Sequence, residues 1–126
     1  MSTKFIPTPY KNILPNIAKN AYIAPNATIT GDTTIGELTN IWYNVVIRGD
    51  VAPIKIGKAT NIQDGSIIHV SRANHVQNKT KNEKAPTIIG NNVTVGHLSM
   101  LHACTIEDNA FIGMSSLIMD LAHIET

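Results

Sequence analysis

The chain has 126 residues, a formal charge of +1 and 5% aromatic residues, the size and balance of one domain without a dominant charged face. Its Lys and Arg residues are scattered, so no nucleic-acid surface and no anionic-membrane surface is expected. No apolar run follows Lys4 to make a signal peptide, no stretch approaches the roughly 18 apolar residues of a spanning helix, and the single Cys104 excludes an internal disulfide, which suits a reducing cytoplasm. Cys104 itself reads as a small buried hydrophobe rather than a nucleophile, since nothing around it suggests a thiol enzyme.

Taken in order, residues 1–16 carry Pro7, Pro9 and Pro15, which remove backbone donors and discourage a central strand. They read as an irregular N-terminal arm. From Ile17 a beat of six begins: Ile23, Ile29, Ile35, Ile41 and Ile47 follow at equal steps. After a slip it resumes at Ile56, Ile62 and Ile68, then at Ile89, Val95 and Leu101, and then at Ile106, Ile112, Ile118 and Ile124. Helices return apolar residues at three and four, and half-buried strands at two, so neither explains a sustained six. A coil of very short parallel strands does, each strand turning one branched side chain inward. The Asn, Gly, Asp and Thr residues between beats supply the turns. The expected architecture is therefore all-β, one β-helix domain over 1–126, with repeat coils from 17 onward.

Three steps make one triangular turn, which places coil starts at Ile17, Ile35, Ile56, Ile89 and Ile106. Arg48, His69 and His102, each one residue past a third-side beat, should then lie in one column. Asp64 and His97, each two residues past a second-side beat, should form another. The step from Ile68 to Ile89 is 21 residues instead of six, so about 15 residues are looped out, at about 71–86. That polar insertion reads either as a solvated excursion or as an arm over a site. The smaller slip between Ile47 and Ile56, through Arg48-Gly49-Asp50 and Ala52-Pro53, reads as a local bulge.

Three imidazoles can hold zinc and leave a fourth position for water, whose pKa the metal lowers toward 7. The pair His97 and His102 is weak support alone; a stacked His69 strengthens it, against the alternative of separate hydrogen-bonded histidines. His123 lies off the columns and reads as an ordinary surface group. So does His75, which on the insertion also has the position of a mobile proton carrier.

Arg48-Gly49-Asp50, then Asn61-Ile62-Gln63-Asp64-Gly65-Ser66-Ile67-Ile68-His69, then Gly96-His97 and Leu101-His102 resemble the gamma class of carbonic anhydrases, from roughly Pro15 to Asp120. The resemblance implies a left-handed parallel β-helix of hexapeptide repeats assembled as a homotrimer. It implies a metal ion, Zn2+ with Fe2+ or Co2+ as other candidates, held by His69 and His102 of one subunit and His97 of the next. It implies that Gln63 hydrogen-bonds a metal-bound hydroxide, that Asn61 orients carbon dioxide, and that Arg48, Asp50 and Asp64 form ion pairs between subunits. The activity implied is hydration of carbon dioxide to bicarbonate.

The chain departs from the archetype in two places. Val51 and a mainly basic insertion stand where the family's archetype has proton-exporting glutamates. The sequence stops at Thr126, where such proteins usually continue with further coil and a C-terminal helix; with no C-terminal helix, an uncovered tube end is expected to favour aggregation unless assembly covers it. Two other readings stay open on these residues: a non-catalytic metal-binding trimer of the same family, and a hexapeptide-repeat acyl-CoA-dependent transferase with one histidine as general base.

Overall fold

The computed structural model describes residues 4–72 and 83–126. Short parallel strands stack into a three-sided tube with each beat residue on its predecessor. The first face contains β1 (Asn16–Ile17), the ends of β3 (Thr28–Ile35) and β5 (Val46–Ile56), then β8 (Thr87–Ile89), β11 (Thr105–Ile106) and β14 (His123–Ile124). The second face is β2 (Tyr22–Ile23), β4 (Asn40–Ile41), β6 (Asn61–Ile62), β9 (Thr94–Val95) and β12 (Phe111–Ile112). The third takes the starts of β3 and β5, then β7 (Ile67–His69), β10 (Met100–His102) and β13 (Leu117–Ile118). The coil starts read from the sequence are the observed ones: Ile17, Ile35, Ile56, Ile89 and Ile106 stand in register.

Every beat residue from Ile29 to Ile112 is at most 4% exposed, so the tube is filled by a ladder of Ile, Val and Leu. Such parallel stacking buries about 1.5–3 kcal/mol per large aliphatic side chain. The corners are sharp. Leu38, Ala59, Asn92 and Asn109 turn one of them, and Asn44, Gly65, Leu98 and Ser115 another, all with positive φ. Inside these corners the buried hydroxyls of Thr39, Thr60, Ser66 and Ser99 donate to the carbonyls of Gly57, Gly90, Gly96 and Gly113 at 2.7, 2.8, 3.0 and 3.1 Å. Polar groups that enter the tube are thereby satisfied.

The expected bulge is present between β3 and β5: Gly31 pairs with Gly49 but Thr33 pairs with Ile54. Gly49 tolerates no side chain, since a Cβ there would stand 2.5 Å from the Asp32 carbonyl oxygen. The extra residues include Asp50, which is how an acidic group comes to stand beside the third face. The insertion leaves the tube at Ser71, which bridges back to Ala85 with Ser71 N–H donating to the Ala85 carbonyl at 3.2 Å. His75 lies outside the described residues.

The N-terminal arm is more engaged than its prolines suggest. Thr8 bridges to Thr30, its N–H donating to Ile29 O at 3.1 Å, and Phe5 packs against the core. One bridging residue between Pro7 and Pro9 suffices, because an edge position needs few donors.

Two substitutions test this packing by denaturant unfolding. Ile62→Ala, at 0% exposure, is expected to cost about 2–5 kcal/mol. Gly65→Ala forces a Cβ at φ +73 to 2.6 Å from Leu98 Cδ2; it destabilises, and adding Leu98→Ala recovers part of the loss but not the backbone strain.

Candidate metal centre

The parallel register sets His69 of β7 directly against His102 of β10. His69 Nδ1 and His102 Nε2 face one another at 3.1 Å. Each ring's other nitrogen is engaged by a carboxylate: His69 Nε2 lies 2.9 Å from Asp50 Oδ1, and His102 Nδ1 lies 2.6 Å from Asp120 Oδ1. An ionised carboxylate only accepts, so each neutral ring carries its proton on the outer nitrogen. The two inner nitrogens then oppose lone pair to lone pair, an arrangement that a cation between them relieves. Two imidazole ligands of a tetrahedral zinc, bonded at about 2.0–2.1 Å, lie roughly 3.3 Å apart. The observed pair fits that bite.

His69, His102 and Asp50 line a cleft of about 300 Å³ with Arg48, Val51, Ser71 and Arg72. Arg48 pairs with Asp50 within the chain, and Val51 N–H donates to Asp50 Oδ1 at 2.7 Å. Ser71 Oγ donates to Asp120 Oδ2, so the root of the insertion is tied to the site. Burial works to raise the pKa of Asp50, yet the hydrogen bonds from Val51 and His69 and the charge of Arg48 hold it below the usual carboxylate range. Asp120 follows the same pattern, with Ser71 and His102 outweighing burial. His69 is pushed down by burial, helped by Arg48 and opposed by its hydrogen bond to Asp50, which favours the neutral, ligand-competent ring.

The second column is a separate cleft, lined by Trp42, Asn61, Gln63, Asp64 and His97. His97 Nδ1 lies 3.2 Å from Asp64 Oδ1, so the stacking of these two is as the spacing implied. Within this chain Asp64 therefore pairs with His97 and not with Arg48. Asn61 Oδ1 is buried without a hydrogen-bond partner. The two clefts sit on different faces of the tube. Among the described residues no group of three or more His, Cys, Asp or Glu side chains is gathered to hold a metal; one chain brings together His69 and His102, and leaves His97 apart.

Asp120 and Ser71 were not picked out by sequence reasoning. The beat reaches Asp120, two residues past Ile118 and one coil beyond His102, but nothing in the spacing says that its side chain reaches back. The other expectations are simpler. Cys104 is buried at 1% exposure with its thiol pushed up to about 11 by burial, which makes it a protonated, inert group at neutral pH. His123 pairs with the exposed Glu107 at 2.6 Å, away from both clefts.

A solenoid of hexapeptide coils with stacked histidines on one face defines a fold class, and comparison with known proteins agrees on that fold. Residues 15–49 match the family described as Bacterial transferase hexapeptide (six repeats). The chain is 52% identical over 116 residues to a carbonic anhydrase of Geobacillus kaustophilus, covering 92% of this chain and 58% of that protein. It is 45% identical over 111 residues to mitochondrial gamma carbonic anhydrase 1 of Arabidopsis thaliana, covering 88% and 38%. The solved hexapeptide transferase family protein of Anaplasma phagocytophilum superposes with a TM-score of 0.79 at 43% identity, over 91% of this chain and 61% of that one. The chain belongs to the gamma carbonic anhydrase family of hexapeptide-repeat proteins. It spans 58% and 38% of the length of those two curated relatives.

The lowered pKa of His69 carries a sign. Folding favours the neutral ring, so this contribution to stability is complete above the ordinary value of 6.5 and is lost as pH falls through the lower folded value. Asp50 and Asp120 contribute above 3.8 and lose their contribution at still lower pH. Metal-free protein should thus melt at lower temperature as pH drops below 6.5, and again below 3.8. The first decline should shrink in His69→Gln; an equal decline in that variant contradicts the assignment.

Proposed function

We propose that the chain forms the metal-bearing coil of a carbonic anhydrase-like lyase that interconverts carbon dioxide and bicarbonate at a boundary between subunits. The observation that carries this reading is the approach of His69 Nδ1 and His102 Nε2, 3.1 Å apart with a carboxylate behind each ring. Two imidazoles leave a zinc-type site short of one protein donor. His97 stands in another cleft, its side chain 48% exposed, and a cyclic trimer would set that cleft against the His69–His102 cleft of a neighbour.

A divalent ion in that position supplies Lewis acidity and brings the pKa of a bound water toward neutrality. Zn2+ is the ion we assign, with Fe2+ and Co2+ able to use the same imidazole set. The remaining roles fall to the chain. Gln63 offers an amide donor and acceptor to orient the attacking water. Asn61, on the wall of the same cleft, offers an amide to orient carbon dioxide, or the bicarbonate that carries an O–H to donate. Trp42 supplies an apolar wall in the same cleft.

Hydration releases a proton, and the near carboxylates are poor acceptors for it because Asp50 and Asp120 are both held below the ordinary range. With Val51 where the family's archetype has a glutamate, proton removal falls to small buffer molecules or to His75. A second reading, acyl transfer from a coenzyme A thioester, draws on the transferase names of fold relatives; metal-free protein that acylates a substrate would establish it instead.

Purified protein loaded with Zn2+, Fe2+ or Co2+ is expected to elute as a trimer and to hydrate carbon dioxide in stopped-flow assays. The kcat should rise steeply with imidazole buffer, and Val51→Glu should weaken that dependence. His69→Ala and His97→Ala should each abolish activity, while mixed trimers of the two variants recover part of it, because some boundaries then hold all three histidines. Absence of activity with every metal rejects the lyase reading.

A further inference from the structure

We infer that Asp120, braced by Ser71, is a positioning residue that fixes the tautomer of His102 and so keeps Nε2 open as a donor; this rests on the metal reading above. A neutral imidazole carries one proton and presents one lone pair, and the hydrogen bond at one nitrogen decides which role the other takes. His102 Nδ1 stands 2.6 Å from Asp120 Oδ1. That contact requires Nδ1–H and leaves the Nε2 lone pair aimed at the cleft, 3.1 Å from His69 Nδ1.

Asp120 is itself held from a second direction. Ser71 Oγ donates to the other carboxylate oxygen, Asp120 Oδ2. Ser71 begins the insertion after β7 and Asp120 follows β13, so the carboxylate is clamped between segments that only the stacked register brings together. The order of contacts is Ser71 to Asp120 to His102, with the acid in the middle. A nucleophilic triad needs the imidazole in the middle; this arrangement therefore serves orientation and not attack.

Without Asp120, His102 is free to take the other tautomer. Its Nε2–H would then donate to His69 Nδ1, giving a neutral hydrogen bond that occupies both inner nitrogens. The lone pair needed by an ion would be spent inside the pair. Outer carboxylates of this kind change metal affinity by about 10–100-fold when removed. Asp50 stands in the same relation to His69, at 2.9 Å from Nε2, so the pair is braced symmetrically by acids from two different coils.

The test compares wild type with Asp120→Asn, Asp120→Ala and Ser71→Ala. Long-range proton–nitrogen NMR of metal-free protein should show Nδ1–H on His102 in wild type and a shift toward Nε2–H in both Asp120 variants. Chelator competition should show Zn2+ binding about 10–100-fold weaker in those variants, with an altered Co2+ visible spectrum and a smaller effect for Ser71→Ala. Melting in chelator reads folding separately, and the isosteric Asp120→Asn should keep it near wild type. Wild-type protein that takes up neither Zn2+ nor Co2+ overturns the metal reading. Wild-type uptake with unchanged affinity and unchanged His102 tautomer in both Asp120 variants overturns the inference alone.

Discussion

The stacking of one branched side chain upon another, coil after coil, fixes everything else in this molecule. Because Ile68 lies under Leu101 and over Ile47, every residue beside them is fixed in height and direction as well. His69 and His102 are separated by the whole insertion in sequence, yet they meet because the beat on either side of that insertion is unbroken. The core is thus a ruler: a slip of one position in any coil would carry the histidines to another height and the inward row to the outside.

The same regularity explains why the polar chemistry is divided. A triangular tube has three faces, and side chains just past a beat leave from the face or corner that the beat defines. Positions after third-face beats gather Arg48, His69 and His102, while positions after second-face beats gather Gln63, Asp64 and His97. A single chain cannot fold these two groups together without breaking its core. The His97 side chain, 48% exposed, stands on the second face and is open to contact from outside the chain.

The fold was legible because its signal is additive: many isoleucines at one spacing leave little room for another period, and the slips at Ile47 and Ile68 announced a bulge and an insertion. The His69–His102 contact followed from counting. What spacing does not encode is reach. The resemblance implies that Asp50 joins ion pairs between subunits; within the chain its carboxylate meets Arg48 and His69. Asp120 was passed over because its place relative to His102 depends on a side chain bending back across a corner. The arm shows a related limit: Pro7 and Pro9 argue correctly against a central strand, but they do not forbid Thr8 from bridging to an edge.

Anomalous diffraction from crystals grown with the natively bound metal bears most directly on the central claim. The account predicts one ion per subunit boundary, bonded to His69 and His102 of one copy and to His97 of the next. A metal bound elsewhere, or an ion ligated by His69 and His102 with His97 of every copy turned to solvent, would contradict it.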